Sequence, residues 1–171
     1  MSSSDRIPGP RLTVLHGRRI PHRGSGHTHG PDAVELRVPA RVEALAVVRA
    51  ITCCLADYED LGRDTADDLA LAVDEACTVL IDMAPPGAYL ELVQDPRLHE
   101  LIVRVSTDCD GVESVPGSAV LSGFSRRVLE ALTDRVETFV DDADFERTGS
   151  PRPTLGISLT IRRHGASARR Q

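Results

Sequence analysis

LALAVDEACTVLI, residues 69–81, is the stretch on which the fold turns. Leu69, Val73, Ala76 and Leu80 recur at three- and four-residue spacing, and Met83 continues the row, so one face of a helix is apolar. Thr65 with Asp68 three residues on predicts the N-terminal cap, and Pro85-Pro86-Gly87 predicts the end. Working back from this helix, Val42, Leu45, Val48, Ile51 and Leu55 have helical spacing. Before them Val34, Leu36 and Val38 alternate with Glu35 and Arg37, a half-buried strand closed by Pro39.

Beyond the helix, Tyr89–Val93 and Leu101–Val105 alternate as two strands, with a turn expected at Asp95-Pro96. Residues 107–122 read as a polar loop containing Gly111, Pro116 and Gly117. A helix from about Gly123 to Arg135 is expected to bury Phe124, Val128, Leu129 and Leu132. Val136–Val140 and Leu155–Ile161 complete the strands. The order is β-α-α-β-β-loop-α-β-β. It predicts an α+β fold, a two-layer sandwich of a mainly antiparallel sheet with helices on one face.

Composition bounds the rest. The 171 residues suffice for one domain, and aromatics make up only 3%, so the core must be aliphatic. All 20 basic residues are arginine. Residues 1–31 are rich in Ser, Pro, Gly, Arg and His and carry a balance of +4; with 164–171 at +2 and the whole chain at −6, residues 32–163 carry −12. Three segments follow: a disordered tail 1–31, a folded domain 32–163 and a flexible C-terminus 164–171. The acidic body disfavours phosphate backbones, so no direct nucleic-acid binding is expected, and it favours a basic partner. No apolar run approaches the roughly 20 residues of a membrane span. The N-terminus lacks a secretory h-region. A cytoplasmic protein without membrane contact is expected.

The four cysteines, Cys53, Cys54, Cys77 and Cys109, show no C-x-x-C spacing, so reduced and mostly buried thiols are expected. Redox sensing through a loop-borne Cys109 is the alternative. His22, His27 and His29 lack a fourth ligand, and no metal site is expected.

From Val34 to Ile161, about three quarters of the chain, the sequence resembles the RsbW/SpoIIAB-type anti-sigma factors, which have the GHKL (histidine-kinase-type ATPase) fold. VELRVPARVEALAVVR (34–49) looks like the first strand and helix of that family, and LALAVDEACTVLI is similar to its N-box helix. VLEALTDRVETF (128–139) resembles the helix and strand after the glycine-rich lid, and LGISLTI (155–161) the closing strand. The resemblance is greatest to the actinobacterial branch that holds a stress or sporulation sigma factor. It implies a homodimer that sequesters an alternative sigma factor and is released by an anti-anti-sigma protein of the STAS type. In well-endowed members it further implies ATP and magnesium, and phosphorylation of a serine on the antagonist.

The residues that would carry that chemistry are mixed. By the resemblance Glu75 stands at the N-box glutamate and could act as base. Four residues on, where the family's magnesium-ligating Asn would fall, stands Val79, which cannot coordinate a hard cation. The adenine box D-x-G-x-G corresponds to Thr107-Asp108-Cys109-Asp110-Gly111, where the final glycine matches in one register and Asp108 in another. The second glycine box reads Gly123-Phe124-Ser125. Asp108, Asp110, Gly111 and Gly123 are therefore the candidate nucleotide contacts, otherwise ordinary turn residues. Losing one electrostatic stabiliser commonly costs about 10²–10³ in rate. At most weak binding of ATP and magnesium is expected. Arg49 falls where members place an arginine that contacts the sigma factor and its antagonist. Three readings stand: a sigma-sequestering binding protein, an ATP-dependent serine/threonine kinase of the antagonist, and an orphan GHKL domain serving another regulator.

Overall fold

The computed structural model describes residues 11–14, 29–109, 120–141 and 153–163. The alternating stretches form strands because each can put one row of Leu, Val or Ile against the helices. β2 (Val34–Pro39), β3 (Tyr89–Pro96), β4 (Glu100–Asp108), β5 (Arg135–Asp141) and β6 (Thr154–Arg162) are joined at the β2 edge by β1 (Arg11–Val14). The described sheet has the order β1-β2-β3-β4-β6-β5, and every pairing is antiparallel. Leu36 and Val38, Leu90 and Leu92, Leu101, Val103 and Val105, and Leu155, Ile157, Leu159 and Ile161 line its inner face, all buried.

Among the described residues, three helices cover that face. α1 (Leu45–Tyr58) follows a short 3-10 turn, Val42–Ala44, and buries Val48, Thr52 and Ala56, one residue per turn. α2 (Arg63–Met83) lies between α1 and α3 (Gly123–Leu132) and contacts the sheet. Its buried stripe is broad and rich in small residues: Ala66, Ala70, Ala72 and Ala76 beside Leu69, Val73, Cys77 and Leu80. Small side chains let neighbouring helices approach on both flanks of the same helix. The result is the expected α+β two-layer sandwich with an aliphatic core.

Several local expectations are corrected. Thr65 does not cap α2: the helix starts at Arg63, Gly62 is its N-cap, and no side chain caps it. Asp64 in the first turn instead meets the positive end of the helix dipole. α3 ends at Leu132, where the Thr133 hydroxyl donates to the Leu129 carbonyl at 2.8 Å and the backbone turns extended. Phe124 is 75% exposed, because Ser125 and Leu129 supply the buried face of α3. Asp95-Pro96 is the end of β3, and Asp95 is buried. Val42 is exposed in the 3-10 turn.

The N-terminal stretch read as tail also contributes. Arg11–Val14 pair with Arg37–Val34, and Gly30 N–H donates to both carboxylate oxygens of Asp95 at 3.1 Å. Arg97 Nε donates to the same carboxylate at 3.0 Å. A Cβ on Gly30 would stand 2.7 Å from an Asp95 oxygen, so a larger residue there would push that carboxylate aside. On the outer face, Phe139 lies over Gly156 so closely that a Cβ there would meet the ring at 2.1 Å. The Arg104 guanidinium covers that ring, 4.3 Å from its centroid.

Candidate functional site

α2 carries Glu75, Val79 and Met83 at four-residue intervals, hence on one side of the helix. At the far end of this row the Cys109 thiol donates to the Met83 carbonyl oxygen at 3.7 Å, and Cys109 N–H donates to the Pro153 carbonyl at 3.0 Å. These contacts bring the end of β4, and with it Asp108, beside the C-terminus of α2. Glu75 lies two turns away, about 12 Å along the axis at the usual rise per residue. Cys109 is thus buried at the end of a strand, not an open loop thiol.

Glu75 and Asp108 are half-buried. Val79 is half-buried too, but it packs against the aliphatic core. Aliphatic carbon supplies no ligand to a hard cation, so this side of α2 does not fit magnesium as an asparagine there would. Gly123 opens α3, where the Ser122 hydroxyl caps the helix by accepting from Ser125 N–H at 3.1 Å. A Cβ on Gly123 would meet nothing within 4 Å, so sterics do not require glycine there. Asp110 and Gly111 lie outside the described residues.

Arg49 sits on the exposed side of α1. Its Nη2 group donates to Asp74 Oδ2 on α2. The Arg49 side chain is 55% exposed and the Asp74 side chain 16%. The other carboxylate oxygen, Oδ1, is buried and has no hydrogen-bond partner. Exposed Leu71 lies three residues before Asp74 on the same side of α2. Asp74 is the residue that sequence reading missed. The signal was available only as geometry: a hairpin folded about residues 59–62 sets residue 49 opposite the low seventies.

The thiols divide by environment. Cys54 is exposed on α1, Cys53 half-buried, and Cys77 buried on α2, where desolvation pushes its thiol up to about 12. Among the described residues no helix is long and apolar enough to cross a membrane.

A mainly antiparallel sheet with three helices on one face, the central one bearing the D-E-A-C-T run, defines a GHKL-type sandwich. No family model matches the chain. Curated relatives do. The anti-sigma-F factor RsbW of Mycobacterium tuberculosis is 46% identical over 143 residues, which are 83% of this chain and 80% of that protein. A protein of Halalkalibacterium halodurans named serine-protein kinase RsbW is 38% identical over 56 residues, 33% of this chain and 35% of its own length. Another of that name, from Bacillus cereus, is 23% identical over 128 residues, 65% of this chain and 79% of its own. The chain belongs to the RsbW family of anti-sigma factors.

Proposed function

We propose that this protein is an anti-sigma factor that acts by sequestration. It binds an alternative sigma factor and keeps it from RNA polymerase, and a STAS-type anti-anti-sigma protein competes for it. The observation that carries this reading is 46% identity across most of the chain to a protein named anti-sigma-F factor. The exposed side of the α1–α2 hairpin, with Arg49 at its centre, is the partner surface in this proposal. A homodimer and cytoplasmic residence complete the reading. The folded body, 32–163, carries the binding surface.

The kinase reading keeps two supports: relatives named serine-protein kinases, and Glu75 at the N-box position. Against it stands Val79, whose methyl groups pack on the core where a metal ligand would be needed. The proposal therefore assigns Glu75, Asp108, Asp110, Gly111 and Gly123 to a remnant site that holds ATP weakly at most. The test is reconstitution with the host's sigma factors. One of them is expected to form a stable complex that the STAS protein dissolves without ATP. A chain that binds no sigma factor, or releases it only on ATP-dependent phosphorylation of the antagonist, would overturn the proposal.

A further inference from the structure

We infer that Asp74 is the positioning residue for Arg49, holding the guanidinium so that its remaining donors meet a carboxylate on the bound partner. The inference rests on the proposed sequestering function and deepens it. A guanidinium carries five N–H donors in a rigid fork. Among the described residues only one of them is used, in the bond to Asp74 Oδ2. The side chain is 55% exposed, so the rest of the fork faces outward. An arginine on an open helix face samples many rotamers, and a partner must order it on binding. Asp74 orders it beforehand.

The asymmetry of the pair supports the direction of this argument. Asp74 is the more buried member, 16% exposed, and its Oδ1 is sealed from solvent without a partner. Its charge therefore leans on Arg49 alone among the described residues. A half-buried anchor and an exposed, under-used fork are the arrangement in which one partner fixes the other. Leu71, exposed on the same side of α2, gives a docking protein an apolar neighbour that excludes water from the pair. The recognised group is then acidic, a carboxylate able to take two parallel N–H bonds from the fork.

Three effects of losing Asp74 have different signs. If Asp74 orients Arg49, its loss weakens binding. If it only shields the positive charge, its loss strengthens attraction to an acidic partner. If it only supports the helix pair, stability changes and affinity does not. Asparagine at 74 separates them, since it keeps an oxygen that accepts from the guanidinium but removes the charge.

The experiment measures sigma-factor affinity by titration calorimetry, with melting curves, for wild type, Asp74→Ala, Asp74→Asn, Arg49→Ala and the double variant Arg49→Ala/Asp74→Ala. Asp74→Ala is expected to bind about fivefold more weakly, the scale of one exposed charge-assisted contact. Asp74→Asn is expected to regain most of that loss. In the Arg49→Ala background Asp74→Ala is expected to change affinity no further, a non-additivity that a merely structural role would not produce. Equal or tighter binding by Asp74→Ala, or an additive double variant, would overturn the inference while leaving sequestration standing. Failure of the wild type to bind any sigma factor would overturn both.

Discussion

Two stretches of α2, 71–75 and 79–83, belong to one helix but meet different surroundings. In the first, Leu71 is exposed, and Asp74 and Glu75 are only half-buried, with Asp74 holding an outward-facing Arg49. In the second, Leu80 is buried, Val79, Ile81 and Met83 pack against the core, and the Cys109 thiol bonds the Met83 carbonyl. On the proposed reading, the contrast lets one function be kept while another lapses. A protein-binding surface needs exposed groups held in place. A nucleotide–metal site needs polar ligands turned toward a cleft, and a single residue that prefers the core removes one. On the proposed reading, α2 retains the first and has given the second to packing.

The strongest way to break this comparison is Arg49→Glu. It sets a carboxylate against Asp74 and against the acidic group expected on the partner. Sigma affinity should fall by at least about 100-fold, as for truncated or reversed charges in desolvated pairs. Folding stability should fall by roughly 1 kcal/mol, because the substitution leaves Asp74 unpaired beside a like charge. Calorimetric titration beside a melting curve checks both. Unchanged affinity would remove Arg49 from the interface.

Val79→Asn probes the other stretch. It places an amide where an aliphatic side chain packs, so stability should drop by roughly 1–2 kcal/mol. Magnesium-dependent ATP affinity should rise modestly, and transfer to an antagonist serine should stay slow, since one ligand does not restore the rest of a phosphate site. Calorimetry with ATP and magnesium, and a radiolabel transfer assay, decide it. Rapid stoichiometric phosphorylation by the wild-type chain would move the protein into the kinase class.

The N-terminal segment sharpens the comparison, because its described residues bond β2 and Asp95. Deleting residues 1–27 spares Gly30, whereas deleting 1–31 removes its bonds to the buried Asp95 carboxylate. Both forms should keep sigma affinity within tenfold of the full chain. The longer deletion should be less stable by about 1–2 kcal/mol, the scale of a hydrogen bond to a charged group. Burial chiefly holds the His29 imidazole below its ordinary 6.5, against the opposing pull of Asp95. A lowered base favours the folded state above pH 6.5 and loses that contribution as pH falls. The stability gap between the two deletions should therefore narrow in acid, which melting curves at pH 5 and 7.5 would show.

The smallest effect separates outward and inward faces by thiol chemistry. Cys54 should react with a thiol reagent in the native protein. Cys77, raised to about 12 by burial, should react only after unfolding. Mass spectrometry of partially labelled protein reads the difference. Native labelling of Cys77 would show that α2 opens locally without global unfolding.

The order of the elements from Val34 to Ile161, the antiparallel sheet with helices on one face and the aliphatic core follow from residue spacing alone. Period-two and period-3.6 rows of Leu, Val and Ile admit few other burials. The family likewise rests on contiguous runs such as LALAVDEACTVLI, readable without coordinates. Tertiary structure decided what depends on residues far apart in the chain. Phe124 reads as core on its own helix, yet Leu129 and Ser125 take that side and leave it in solvent. Asp95 reads as a turn residue because Asp-Pro commonly is one, but Gly30 and Arg97 satisfy its carboxylate within the sheet layer. The alternation of Arg11-Leu12-Thr13-Val14 spans only four residues, too short a run to mark a strand by itself, and it becomes one because β2 presents an unpaired edge. Asp74 is 25 residues from Arg49, and only the antiparallel packing of α1 on α2 turns that separation into an ion pair. Local patterns are set by which side of one element is apolar; partners across elements are set by how those elements dock, and no single stretch of sequence contains that.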